Sequence, residues 1–311
     1  MIQSIAEKIT NNIQKVIVGK QTIIHHLLST LFCEGHVLIE DVPGTGKTTL
    51  ARALAASLGC SFQRIQFTPD LLPSDVTGIS WFNQKTQEFE FRPGPIMGQV
   101  VLADEINRAT PRTQSSMLEA MQERQVTADG VTRKLPRPFI VLATQNPVEL
   151  EGTFPLPEAQ LDRFLMRVVI GYPSQADENS ILERFREMDP LQDLQPVTFP
   201  EELLAMVKER QQIKVEESVR DYIVRISMAT RQNHDIQLGA SPRATMALYQ
   251  VSQAWAAIQG RTFVLPDDVK SLAPHVLCHR LIIAAQAQLR GRTAEELVRD
   301  IVASVPVPVE A

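Results

Sequence analysis

Along the first half of the chain, short and nearly unbroken apolar runs alternate with stretches whose apolar residues recur at helical spacing. The runs are His36–Glu40, Phe62–Phe67, Val100–Ala103, Phe139–Thr144 and Phe164–Ile170. Three of them are almost continuously apolar, as strands buried on both faces are. Between them, Lys20–Phe32, Lys47–Leu58 and Thr110–Gln122 keep helical periodicity. The alternation predicts an α/β fold, with a parallel sheet of five strands covered by helices. Residues 78–96, GISWFNQKTQEFEFRPGPI, interrupt it and read as an inserted hairpin turning at Asn83–Thr86. Gln125–Lys134 reads as a second hairpin around Asp129-Gly130.

After Pro173 the pattern becomes helical. Val219, Tyr222, Ile223, Ile226 and Ala229 trace one buried helix face. Pro266-Asp267-Asp268 reads as a helix start, with acids against the positive helix end, and Thr293 with Glu296 forms a capping box for a last helix. Pro306 and Pro308 cannot continue that helix, so the tail is expected to hang free or pack on a neighbour. The change of pattern predicts a boundary near residue 172, dividing the chain into 1–172 and 173–311.

Composition narrows the class. The 311 residues are 44% hydrophobic, enough for a substantial core, and carry a formal net charge of −5. Residues 1–172 hold 16 Lys and Arg against 17 Asp and Glu, a net −1; the remainder holds 15 against 19, a net −4. Neither half has the basic excess that binding to a phosphate backbone needs, so no nucleic-acid partner is expected. Cys33, Cys60 and Cys278 are too few and too scattered for a disulfide framework. No run reaches 18 apolar residues, and MIQSIAEKITNNIQK lacks the apolar core of a signal peptide. A soluble cytoplasmic protein with no membrane segment is the expectation.

The sharpest local signal is Asp41-Val42-Pro43-Gly44-Thr45-Gly46-Lys47-Thr48, followed by Thr49, directly after one predicted strand and before a helix. Backbone N–H groups in such a turn, and at the helix start behind it, point at phosphates that the helix dipole favours. Val42 to Thr49 are therefore candidate nucleotide-binding residues, with Lys47 reaching the β- and γ-phosphates of ATP and Thr48 coordinating Mg²⁺. Asp41 stands where the strict G-x-x-x-x-G-K-[ST] pattern has its first glycine. A second strand, Val100-Val101-Leu102-Ala103, ends in Asp104 and Glu105. Beside the loop, Asp104 would hold Mg²⁺, mostly through water, and Glu105 would orient and polarise the attacking water. A third strand ends Thr144-Gln145-Asn146-Pro147, which puts Asn146 at the crevice where open α/β sheets bind ligands and where it could bridge that water and the γ-phosphate.

In order and spacing, these strings resemble the AAA+ ATPases. Further strings narrow the resemblance to the MoxR family: Phe67-Thr68-Pro69-Asp70-Leu71-Leu72-Pro73-Ser74-Asp75, Gly94-Pro95-Ile96, Asp104-Glu105-Ile106-Asn107-Arg108-Ala109, Ser116-Met117-Leu118-Glu119-Ala120-Met121, Leu156-Pro157-Glu158-Ala159-Gln160-Leu161-Asp162-Arg163-Phe164 and Gly239-Ala240-Ser241-Pro242-Arg243. The match runs from Val18-Gly19-Lys20 to His279-Arg280-Leu281. It implies a P-loop NTPase αβα domain followed by a small all-α lid, with ATP between them, assembled into a ring, usually hexameric. By the same resemblance, Arg163 is the arginine finger reaching a neighbour's γ-phosphate. Arg243 is the second sensor arginine, acting within its subunit or across the interface, and Val18 and Gly19 line the adenine pocket. The 78–96 hairpin matches the insert of this clade; Trp81 and Phe82 either grip a client near a pore or pack on their own domain.

The activity implied is magnesium-dependent ATP hydrolysis that remodels, assembles or activates a protein client. A partner carrying a von Willebrand factor A domain is expected on resemblance, and insertion of a metal cofactor into a client is one form the work could take. Three rivals stand beside this reading: a nucleotide-switched scaffold with little turnover, a DNA motor or loader, and the ATPase subunit of a metal chelatase. His275, Cys278 and His279 share a predicted helix, but no acid completes a zinc motif, so they are read as structural.

Overall fold

The computed structural model describes residues 1–147, 152–186 and 190–308. Strands β1 (Val37–Glu40), β2 (Phe62–Gln66), β5 (Val100–Asp104), β8 (Ile140–Gln145) and β9 (Met166–Val168) form one parallel sheet in the order β2-β5-β8-β1-β9. Two hairpins stand apart from it, β3 (Gly78–Asn83) with β4 (Glu88–Pro93), and β6 (Gln125–Ala128) with β7 (Val131–Lys134). The helices of this half are α1 (Ile2–Ile13), α2 (Gln21–Phe32), α3 (Lys47–Ser57), α4 (Pro73–Thr77), α5 (Pro111–Glu123) and the short α6 (Glu158–Leu161).

The sheet divides its residues by parity, as the period-2 alternation of a strand requires. Val37, Ile39, Val100, Leu102, Ile140, Leu142, Met166 and Val168 join the core built on α1, α2 and α3. Leu38, Ile65, Val101, Ala103, Val141 and Ala143 join a second core that includes Met117, Leu118 and Met121 of α5. Both faces are buried, which is why these runs read as continuously apolar. The edge strand β2 buries only Ile65 fully. Helix α1 carries a helical signal of its own: Ile2, Ile5, Ala6, Ile9 and Ile13 share one buried face.

The second half contains α7 (Gln175–Arg184), α8 (Pro200–Arg210), α9 (Glu217–Gln232), α10 (Pro242–Ile258), α11 (Pro266–Leu277), α12 (Ala285–Leu289) and α13 (Ala294–Ser304). It also holds a small ribbon, β10 (Ile236–Leu238) against β11 (Ile282–Ile283), too short to leave a periodic signal in the sequence. The start of α11 is held by Asp268, which accepts from Leu265 N–H at 2.8 Å and pairs with Arg261 at 2.6 Å. Thr293 and Glu296 cap α13 reciprocally, at 3.0 and 3.2 Å. Beyond α13, Val305 is buried, Pro306 and Val307 are exposed, and Pro308 borders a groove with Asp221, Val224 and Arg225 of α9.

One apolar core runs through both halves, joining α1 and α2 to Tyr222 of α9, Leu248 of α10 and Leu272 of α11. The second half also covers the outer edge of β9, a row of carbonyls that would otherwise stay open. His275 Nδ1 lies 3.2 Å from Arg167 O, and His279 Nε2 lies 3.0 Å from Phe164 O. The spacing of these two histidines therefore serves one carbonyl of β9 and one in the turn before it.

His36, at the entry to β1, is buried with both ring nitrogens engaged. Val141 N–H donates to Nδ1 at 3.0 Å, and Nε2 sits 3.2 Å from Met121 O, so Nε2 carries the proton and Nδ1 stays bare. Burial holds this imidazole down to about 4. His26, whose ring centroid is 4.2 Å from that of His275, is pushed down to about 3, by burial first and then by its histidine neighbours. Both titrate near 6.5 when unfolded, so their contribution to stability is complete above that pH and fades as pH falls toward 4. Between pH 7 and pH 5 each should withdraw about 2 kcal/mol. Urea unfolding should show His36→Gln removing about that much of the pH-dependent loss; an undiminished pH dependence in the variant contradicts this assignment.

Candidate functional site

Strand β1 delivers the chain into a tight loop that opens directly into α3. Gly44 and Gly46 adopt φ of 84° and 83°, the left-handed region in which a side chain is strained. Leu50 N–H is the first to bond back into the turn, to Gly46 O at 2.9 Å, so the N–H groups of Lys47, Thr48 and Thr49 precede the helical ladder. Together with the helix dipole they make an anion cradle. Asp41 is buried and fastens the loop instead of turning it: its carboxylate accepts from Val42 N–H and from Gly171 N–H, both at 2.8 Å. Lys47 Nζ donates to Asp41 O at 3.1 Å and Val42 O at 2.7 Å, while Val42 carries this backbone scaffold and does not line the cleft.

Strand β5 ends with Asp104 on the α3 side of the sheet, as the parity of Val100 and Leu102 dictates. Both of its carboxylate oxygens are held. Thr144 Oγ1 donates to Oδ1 at 2.7 Å, and Arg64 donates to Oδ2 from Nη2 at 2.6 Å and Nε at 3.1 Å. The next residue, Glu105, turns the chain at φ 57°, a strained position for a side-chain-bearing residue. Its N–H donates to Thr144 Oγ1 at 2.8 Å, and its carboxylate accepts from Gln66 Nε2 at 3.0 Å and pairs with Arg108 at 3.1 Å. One hydroxyl, that of Thr144, thus orients both acids.

These groups face each other across one cleft of about 360 Å³. Pro43, Gly44, Gly46, Lys47, Thr48 and Thr49 form one wall; Asp104, Glu105, Thr144 and the buried Asn146 form the other. An apolar cavity of about 200 Å³ adjoins it across the loop, lined by Val16, Ile17, Val18, Thr45 and Leu50 and closed by Ile181 and Phe185 from α7 and its end. Gly19, at φ 71°, lies outside that lining but packs under α7, where a Cβ would stand 2.5 Å from Asp177. Thr48 and Asp104 offer the oxygen donors that a hard divalent cation takes, and the loop amides with Lys47 suit a polyphosphate, so the residues fit Mg²⁺ and ATP.

Arg163 and Arg243 are placed elsewhere. They line a separate cavity of about 200 Å³ with Arg124, Arg280, Glu34 and Asp162, which shares no residue with the phosphate-loop cleft. Arg124 pairs with Glu34 at 2.8 Å and Arg280 with Asp162 at 2.8 Å. Among the described residues, the guanidiniums of Arg163 and Arg243 have no carboxylate or carbonyl partner.

No sequence motif marks Thr144, Gln66, Arg64, Ile181 or Phe185 as residues of the site. Gln66 and Arg64 leave a faint trace in FQRIQF, where polar residues occupy alternate positions of an edge strand. Thr144 is a polar residue closing an apolar run, and only its pairing beside β5 reveals its work.

Residues 36–166 match the model of the ATPase family associated with various cellular activities (AAA), and residues 228–301 match the AAA lid domain. The chain is 38% identical to chaperone MoxR1 of Mycobacterium tuberculosis, over 97% of this chain and 82% of that protein. It is 30% identical to protein MoxR of Methylorubrum extorquens, over 97% and 95% of the two chains. It is 52% identical to the uncharacterised protein YeaC of Bacillus subtilis, over 97% and 95%. The crystal structure of a candidate ATPase from Cytophaga hutchinsonii superposes with a TM-score of 0.93 at 37% identity, covering 99% of this chain and 96% of that one.

Thr144→Val keeps the shape of the side chain and removes both hydrogen bonds at the acid pair. It should destabilise the fold by about 1–3 kcal/mol in urea unfolding, because Asp104 Oδ1 and Glu105 N–H lose their partner; unchanged stability contradicts the bridging role.

Proposed function

The chain belongs to the MoxR family of AAA+ ATPases, and from that premise we propose that it hydrolyses ATP to remodel, assemble or activate a protein client. The observation that carries the reading is the convergence of the phosphate loop, the acid pair and Asn146 on one cleft, with an apolar cavity for a base adjoining it. In this reading the loop amides and Lys47 hold the β- and γ-phosphates. Thr48 and Asp104 hold Mg²⁺, which when bound neutralises phosphate charge. Glu105 accepts a hydrogen bond from the attacking water and draws off its proton, and Asn146 fixes that water against the γ-phosphate. The apolar cavity takes the adenine, with Val18 on its wall and Gly19 behind it.

Two guanidiniums without an acid partner among the described residues, in a cavity separate from their own phosphate loop, support a role in trans. Arg163, and with it Arg243, then completes the site of an adjacent subunit in a ring, taken as hexameric from the family. A guanidinium so placed contributes about 10³–10⁵ in rate in other nucleotide hydrolases. The division at residue 172 into a nucleotide-binding unit and a lid belongs to the same reading, as do a cytoplasmic site of action and a partner with a von Willebrand factor A domain. A protein client is supported by the name chaperone given to MoxR1 and by the absence of a basic excess in either half. Loading of a metal cofactor into that client is one form of the activity. Among the described residues no helix is long and apolar enough to cross a membrane.

Glu105→Gln should bind ATP as the parent protein does and hydrolyse it at least tenfold more slowly, read by nucleotide binding and steady-state phosphate release. Turnover equal to the parent contradicts the assignment of Glu105, and ATP-dependent assembly without measurable turnover in the parent favours a nucleotide-switched scaffold.

A further inference from the structure

Asp162 precedes Arg163, and its carboxylate meets two side chains from the second half of the fold. Arg280 Nε donates to Oδ1 at 2.8 Å, and Ser241 Oγ donates to Oδ2 at 3.2 Å. Ser241 is also the N-cap of α10, its Oγ accepting from Ala244 N–H at 3.2 Å, and Arg243 lies in the first turn of that helix. The residue that carries this carboxylate is therefore the chain neighbour of Arg163, and through a single hydroxyl the carboxylate bonds to the helix that carries Arg243.

Arg280 explains why this joint is rigid. Its side chain is 2% exposed, and besides Asp162 Oδ1 it donates to the carbonyls of Asp162, Phe164, Leu165 and Val276. A guanidinium has five N–H donors in a fixed fork, and here each finds an acceptor. Burial lowers the Arg280 pKa to about 10, with Asp162 opposing the shift, so the group stays charged at neutral pH. Breaking one side of a buried pair is costly, whereas an apolar replacement of the whole pair often is not, so geometry is the better reason for its presence. The pairing also distinguishes the arginines: Asp162 pairs with Arg280, Glu34 pairs with both Arg124 and Arg137, and among the described residues Arg163 and Arg243 of the same cavity have no carboxylate partner.

We propose that Asp162, clamped by Arg280, is the positioning residue that holds Arg163 and Arg243 as one preassembled pair of guanidiniums. The inference rests on the reading in which that pair acts on a neighbouring subunit's nucleotide. It adds that the lid helix bearing Arg243 is locked to the turn bearing Arg163, so the pair moves as a unit.

The test uses the full-length protein. Asp162→Asn keeps size and one acceptor and removes the charge. Its turnover should fall at least tenfold while the affinity of its own cleft for ATP, measured on the isolated subunit, stays within twofold. Adding Lys47→Ala subunits, whose arginines are intact, should restore part of the turnover in verified mixed rings, and Asp162→Asn combined with Arg163→Ala should be no slower than Arg163→Ala alone. A merely structural role gives no rescue and an added loss in the double variant; either outcome, or near-parental turnover of Asp162→Asn beside an inactive Arg163→Ala, overturns the proposal. Near-parental turnover of Arg163→Ala itself overturns the underlying reading instead. Should Asp162→Asn fail to fold, Ser241→Gly, which keeps a favourable cap residue, should still lower turnover at least threefold at unchanged ATP affinity, and parental turnover there overturns the proposal.

Discussion

The register between parallel strands is the constraint on which the cleft depends. Leu102 pairs with Leu142, and Val37 pairs with the same Leu142 from the other side, so β5, β8 and β1 end level with one another. Side chains alternate between faces with a period of two, so a slip of one residue would turn Asp104 toward α5 and Ala103 toward the loop. The two cores resist that slip through packing, because the side chains of each face fill the space against their own layer of helices and would have to change places. The polar side chains gather at the carboxyl ends of the strands, where Asp104 and Thr144, though buried, satisfy each other by hydrogen bonding at the crevice in which open α/β sheets bind ligands.

What was legible in the sequence follows from this arrangement. The five strands, both hairpins, the phosphate loop and the polar residues closing β5 and β8 are local strings, and each lies where its string predicts. Thr144 and Gln66 were not legible in their roles, because these consist of contacts across strands distant in sequence: Thr144 serves residues 39 and 40 positions away. Asp41 shows the opposite case. It breaks a glycine pattern, and its reason is a carboxylate bond to Gly171, 130 residues downstream. The ribbon of β10 and β11 is simply too short to have a period.

The second half of the chain does more than close over the first. Its α11 and the residues after it supply His275, His279 and Arg280 to the carbonyls along residues 162–167, covering the open edge of β9. An edge protected in this way cannot recruit another strand, and the turn before it, with Arg163, becomes part of a rigid surface. The same packing carries Arg243 to the side of Arg163 and away from its own phosphate loop. A chain built like this holds its phosphate-loop cleft in one place and, in another, two arginines that have no carboxylate partner among the described residues, which suits repetition around a closed ring better than action alone.

The central claim is that each cleft is completed by the arginines of another subunit. The most direct measurement is a structure of the assembled Glu105→Gln protein with ATP and Mg²⁺. The account predicts a γ-phosphate held by Lys47 of one subunit and approached by Arg163 and Arg243 of the next. A γ-phosphate met by the arginines of its own chain, or by none, would contradict it.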